Sequence, residues 1–262
     1  STGSATPQIA AGYLFSLALK SDGTVWAWGW NGYGQLGDNN GPTTSIPAQV
    51  GGLDGVTAIA AGYYHSLALK SDGTVWAWGD NSYGELGNGT TNSASMPEQV
   101  PNLSGVKAIA AGYGLSVALK SDGTVWTWGY NNDGELGNNT TTASFVPVEV
   151  TGLTGVTAIG AATYNVLAIK SGGVVWAWGY NGEGALGDGT TTSRSVPVKV
   201  KNMTGITAVS GGWRYSVARK SDGTVWAWGH NADGELGNNT TTNSSVPVKV
   251  SSLTGVTAIS GG

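Results

Sequence analysis

Apolar and polar residues alternate with period two along much of the chain, and no window shows the 3.6-residue stripe of an amphipathic helix. The alternation restarts every 50 residues. SDGTVWAWG begins at Ser21, Ser71 and Ser221, with SDGTVWTWG at Ser121 and SGGVVWAWG at Ser171. Five copies follow one another without insertion or deletion, which is the signature of a repeat architecture. Each copy predicts four strands, illustrated by the second. Strand A runs from Val56 to Gly62, B from Ser66 to Lys70, and C from Val75 to Gly79. Strand D, Pro97 to Val100, is short and led by proline, as suits an outer edge. The units span about 8–50, 56–100, 106–150, 156–200 and 206–250 of a single repeat domain, 1–262, and 256–262 reads as an extra innermost A strand.

Between B and C stands Asp72-Gly73, a dipeptide that favours a two-residue type I′ hairpin with positive φ at both residues. Such a turn sets Lys70 opposite Val75, Leu69 opposite Trp76, Ala68 opposite Ala77 and Leu67 opposite Trp78. Leu67, Leu69, Trp76 and Trp78 then share one face, and Ala68, Ala77 and Val75 the other. A sheet with one bulky and one flat face stacks on copies of itself, so that each blade's bulky face fills its neighbour's flat one. In the same register Arg219, where the other copies carry Leu or Ile, faces Trp226 and suggests a cation–π pair on a partly open fifth blade.

Composition narrows the function. Charged residues make up 11% of the chain and the net charge is -4, with no basic patch for nucleic acid and no polybasic segment. No apolar run approaches the roughly 18 residues of a membrane span, so neither a nucleic-acid partner nor membrane insertion is expected. The absence of cysteine removes disulfides, thiol catalysis and thiolate metal sites. Few Lys and Glu among abundant Asn, Thr, Ser and Gly suit an extracellular or cell-surface bacterial protein.

Units of the form AGYYHSLALKSDGTVWAWGDNSYGELGNGT, followed by a proline-led strand, resemble the repeats of the regulator of chromosome condensation propeller family, from about Ile9 to Gly262. The resemblance is to the bacterial type, similar in kind to the propeller inhibitor of β-lactamases. It implies an all-β propeller of four-stranded antiparallel blades. Members include nucleotide exchange factors for small GTPases and chromatin-binding proteins, and none of these activities follows from the fold itself. Family propellers usually have seven blades, whereas five units stand here and the first A strand is degenerate at Thr6-Pro7-Gln8. Five repeats imply either a part of a longer propeller or an atypical ring, with self-association through an open end as one consequence.

Most of the unit barely changes between copies, and two short windows change sharply. The first is the A–B connection, which carries Tyr13 and Phe15, then Tyr63, Tyr64 and His65, then Tyr113, then Tyr164, then Trp213, Arg214 and Tyr215. The second follows strand C and carries Trp30 and Tyr33, Asp80 and Tyr83, Tyr130 and Asp133, Tyr180 and Glu183, and His230 and Asp233. The end of strand C lies beside the start of strand B, so both windows emerge at one end of the blades. Aromatic anchors among polar groups are what protein interfaces use as hot spots, which predicts another protein as the partner. A glycan on the same aromatic platforms is one alternative, and a spacer domain of a larger surface protein is another.

Chemistry is not expected. His65 and His230 are the only histidines, in different copies, and there is no HExxH, GxSxG or phosphate-binding loop. Glu85, Glu135 and Glu235 recur without a DxDxDG calcium loop. No catalytic residue, metal or cofactor is predicted.

Overall fold

The computed structural model describes residues 5–39 and 41–261, so Gly262 of the expected extra strand lies outside the described residues. The described residues form five antiparallel four-stranded sheets, each in sequence order, and no helix. The first sheet is β1 (Gln8–Ala11), β2 (Phe15–Leu19), β3 (Val25–Gly29) and β4 (Thr44–Gln49). The second is β5 (Val56–Ala61), β6 (His65–Lys70), β7 (Val75–Gly79) and β8 (Ala94–Gln99). The third is β9 (Val106–Ala111), β10 (Leu115–Lys120), β11 (Val125–Gly129) and β12 (Ser144–Glu149). The fourth is β13 (Val156–Ala161), β14 (Asn165–Lys170), β15 (Val174–Gly179) and β16 (Arg194–Lys199). The fifth is β17 (Ile206–Gly211), β18 (Tyr215–Lys220), β19 (Val225–Gly229) and β20 (Ser244–Lys249). These are the predicted blades. They group into two compact units: the described residues up to 121 with 126–130 and 143–148, and 122–125 with 131–142 and the described residues from 149 onward.

The B–C hairpin differs from the predicted two-residue turn. The amide of Gly73 donates to Lys70 O and that of Lys70 to Thr74 O, both at 3.0 Å, which makes a three-residue loop. Gly73 has φ +79, whereas Asp72 is not left-handed. Asp72 instead braces the loop through Oδ1, which accepts from Thr74 N at 3.0 Å and Thr74 Oγ1 at 2.6 Å. One extra loop residue slips the register by one: Leu69 pairs with Val75, Ala68 with Trp76, Leu67 with Ala77 and Ser66 with Trp78. A one-residue slip exchanges the faces. Leu67, Leu69, Val75 and Ala77 therefore form an aliphatic face, and both tryptophans share the other face with Ala68. Lys70 stands over the Trp76 ring at 5.3 Å, as it can only from that face.

Packing between blades follows from the corrected faces. The aliphatic face of the first sheet meets Ala68, Trp76 and Trp78 of the second. That of the second meets Ala118, Trp126 and Trp128. In the second unit, the aliphatic face of the fourth sheet meets Ala218, Trp226 and Trp228 of the fifth. Each join is pinned by one indole: Trp78 Nε1 donates to Gln35 O, Trp128 Nε1 to Glu85 O and Trp228 Nε1 to Ala185 O, all at 2.8 Å. A buried indole whose N–H has a partner combines large apolar area with a satisfied donor.

Three further expectations are corrected. Strand D is Ala94–Gln99, and Pro97 lies inside it, not at its head. Gly79 pairs with Ala94 and Ala77 with Glu98, so Pro97 falls in a bulge where no ladder amide is required. Residues 256–261 form no strand. Arg219 pairs with Val225 and lies on the aliphatic face, away from Trp226. Its Nη1 donates to Thr257 O at 2.9 Å and to Val256 O at 3.3 Å.

Candidate binding surface

The loop after strand C is built around a buried asparagine. In the second blade Asn81 Oδ1 accepts from Leu86 N at 2.9 Å, while Nδ2 donates to Thr90 O and Asn92 O at 3.0 Å each. With its centre fixed in this way, the loop holds the Tyr83 position at the blade end, where the A–B connection also emerges.

In the first unit the predicted aromatics join into one network. Tyr13 stacks on Tyr63 with centroids 4.2 Å apart. Tyr63 lies 4.7 Å from Tyr64 and 5.2 Å from Tyr113. Tyr64 touches Trp30 and Tyr33 at 5.2 and 5.3 Å, and Tyr83 bridges Tyr113 and Tyr130 at 5.9 and 5.0 Å. Edge-to-face and stacked pairs at these separations are each worth about 0.5–1.5 kcal/mol beyond area burial. The network is part of the surface: Tyr13 is 54% exposed.

The second unit uses charge where the first uses rings. Arg214 lies 4.4 Å from the Trp213 ring and 5.0 Å from that of Tyr180, and its Nη1 pairs with Glu183 Oε1 at 2.9 Å. Tyr164 approaches Tyr180 at 6.2 Å. His230 packs edge-on against Trp213 at 5.2 Å and bonds Glu235 Oε1 through Nδ1 at 2.7 Å. Trp213 is 48% exposed.

Several predicted site residues are not surface groups. Phe15 is buried in the first core cluster. His65 is 0% exposed, with Nε2 3.0 Å from Ser116 Oγ, and burial lowers its pKa to about 3. Tyr215, at the same place in the fifth blade, is half-buried. All three begin strand B, two residues before an aliphatic-face position, so alternation turns them towards the next blade. Asp80 is buried and accepts from Ser82 N, Ser82 Oγ and Ser93 Oγ at 3.2, 2.6 and 3.4 Å. Asp133 accepts from Ser193 Oγ at 3.2 Å, and Asp233 is exposed.

Sequence reasoning missed Glu85, Ser82 and Gly114. With Asp80 and five tyrosines, Tyr33, Tyr63, Tyr64, Tyr83 and Tyr113, they line a cavity of about 140 Å³ in the first unit. Burial raises Glu85 and Glu135 to about 7. The available signal was Gly114, a glycine where the other copies have Leu14, Tyr64, Tyr164 and Arg214.

The sequence profile of the RCC1-like domain matches residues 2–262. Human WBSCR16 is similar in structure, with a TM-score of 0.82 and 25% identity, over 94% of this chain and 67% of that one. Prp20p from Saccharomyces cerevisiae has a TM-score of 0.74 and 20% identity, over 93% of this chain and 76% of its own. The Ultraviolet-B receptor UVR8 of Arabidopsis thaliana is 44% identical over 43 residues, which span 16% of this chain and only 10% of the receptor. With five repeated four-stranded blades and a profile match along nearly its whole length, the chain belongs to the RCC1-like domain family.

Proposed function

We propose that the chain is a protein-binding module that recruits its partner through the aromatic ends of its blades. The carrying observation is the continuous ring network from Tyr13 to Tyr130, partly open to solvent and built from positions the repeat leaves free to vary. Rigid aromatics bury large area at low entropic cost, and burying so many only within loops would leave their variation between copies unexplained. The fold is compatible with this role: Prp20p, which shares it, binds Gsp1p and histones. The weak charge of this chain fits a partner held by aromatic contact rather than electrostatic steering. An extracellular or bacterial cell-surface location is part of the same proposal, supported by few Lys and Glu among abundant Asn, Thr, Ser and Gly.

Capture from extracts and culture medium of the source cells tests this reading. Replacing Tyr64, Tyr83, Tyr130 and Trp213 together by Ala is expected to abolish capture while the far-ultraviolet dichroism stays unchanged. Undiminished capture by that folded variant overturns the assignment.

A further inference from the structure

One slot recurs between neighbouring blades, beside the second residue of the A–B connection, and its occupants differ. Between the first and second blades it holds Tyr64, packed on Trp30 and Tyr33. Between the fourth and fifth it holds Arg214, seated on Tyr180 and paired with Glu183. Between the second and third the residue is Gly114, and the 140 Å³ cavity stands in its place. That volume is comparable with the roughly 150 Å³ that admits a benzene-sized guest. Gly114 and Arg214 share a left-handed backbone, φ +53 and +62. A Cβ on Gly114 would lie 2.7 Å from the Tyr83 ring and 3.5 Å from Glu85 Oε1, so the backbone aims a missing side chain into the cavity.

The cavity is acidic as well as aromatic. Glu85, 1% exposed, accepts from Tyr83 N through Oε2 at 2.7 Å, leaving Oε1 on the Gly114 side. Asp80 makes its hydrogen bonds to Ser82 and Ser93 through Oδ1. Its position is aromatic or histidine in every other copy (Trp30, Tyr130, Tyr180, His230), so this carboxylate stands where the slot is open. No Lys, Arg or His lines the cavity. Ring faces with buried carboxylates select a cation, and a planar one that can fork onto an acid while lying on a ring is a guanidinium.

We propose that this cavity receives a guanidinium group, the arginine side chain of a protein partner, seated as Arg214 is seated in the equivalent slot of its own chain. The inference rests on the reading of the blade ends as a protein-binding surface. Burial, with a smaller contribution from the neighbouring Asp80, raises Glu85 to about 7, and the titratable groups that face it across the cavity are Asp80, Tyr33, Tyr63, Tyr64, Tyr83 and Tyr113. A bound cation restores the carboxylate, so affinity rises between about pH 6 and pH 8.

Calorimetric titration with N-acetylarginine amide, against the neutral isostere N-acetylcitrulline amide, tests the cavity without the partner. The arginine ligand is expected to bind at least tenfold more tightly than citrulline, and Glu85→Gln to weaken it at least tenfold. Gly114→Arg is expected to abolish binding by filling the slot from within. Should that variant misfold, Glu85→Gln still reads the site, since copy one carries Gln35 at this place. No arginine binding to the folded chain, equal citrulline binding, or tighter binding of N-acetyltrimethyllysine amide overturns the guanidinium assignment. Failure of the arginine ligand with face-dependent capture intact removes the cavity and leaves the surface. An arginine site without face-dependent capture removes the protein as the source of the guanidinium.

Discussion

The second and fifth blades present the same aliphatic strip to different neighbours. In the second, Leu67, Leu69, Val75 and Ala77 are all buried under Trp126 and Trp128 of the third blade. In the fifth, the strip reads Val217, Arg219, Val225 and Ala227; Val217 and Arg219 are half-exposed, and the segment 256–261 stands where a tryptophan face would be. The difference shows where a blade's cohesion comes from. A single sheet of this kind has no core of its own; its core is completed by the next blade's tryptophans, as in other stacked repeats. An arginine is tolerated on the strip only where backbone carbonyls, here Val256 O and Thr257 O, replace that cover.

Exchanging the two residues is the hardest test of this contrast. Leu69→Arg places an unpaired charge under Trp128 and is expected to cost roughly 3 kcal/mol or more. Arg219→Leu is expected to change stability by no more than about 1 kcal/mol, because it removes a half-exposed cation and restores an apolar strip. Chemical denaturation of both variants measures the pair. Equal losses would mean that the fifth blade is sealed as tightly as the second.

A second contrast separates the first and second blades at one position. Gln35 and Glu85 both accept the amide two residues earlier, from Tyr33 at 3.0 Å and from Tyr83 at 2.7 Å, but only the glutamate titrates. Its folded pKa, about 7, lies above its ordinary 4.5. Between those values the native state holds a proton that the unfolded chain has lost, so stability falls as pH rises through that window. His65 acts in the opposite sense: about 3 when folded against 6.5 ordinarily, it stays neutral while the unfolded chain protonates, so stability falls as pH drops below about 6.5. Glu85→Gln is expected to gain up to roughly 3 kcal/mol over the parent at pH 8 and to match it near pH 4.5. A pH-independent difference would show that Glu85 is not forced towards neutrality by burial.

How much of this was legible in the sequence depended on which residues carried the information. The 50-residue period and the Asp-Gly turn located every blade and nearly every strand. Their faces were not legible, because Asp72-Gly73 is equally compatible with a two-residue loop and with the three-residue loop that forms. Only Gly73 takes the left-handed conformation, and that single residue of loop length decides whether Trp78 faces leucine or alanine. The candidate surface was half legible. Variation between copies found Tyr13, Tyr64, Tyr83 and Trp213, but it also marked His65 and Phe15, which vary because each fills a join between particular blades. Parity with Leu67 and Leu17 was the signal that would have placed these two inside. The cavity escaped because it is defined by a side chain that Gly114 lacks.

The smallest effect concerns the serine at the second position of strand B, present in four of the five copies, with Val166 in the fourth. Ser116 Oγ donates to Glu85 O at 2.7 Å and lies 3.0 Å from His65 Nε2, so with its one proton already given it must accept from the imidazole. His65 is thereby held as the neutral tautomer protonated at Nε2, consistent with its depressed pKa. Ser116→Ala leaves the buried imidazole N–H without its acceptor, while Glu85 O keeps the Trp128 indole as donor, and is expected to cost about 1–3 kcal/mol. The first blade carries the same residue as Ser16, half-exposed, where water can serve the hydroxyl. Ser16→Ala is expected to stay within about 0.5 kcal/mol of the parent. Thermal melts of the two alanine variants decide the point: if they shift alike, the serine serves its own strand, whereas a loss confined to Ser116→Ala assigns it to the join between blades.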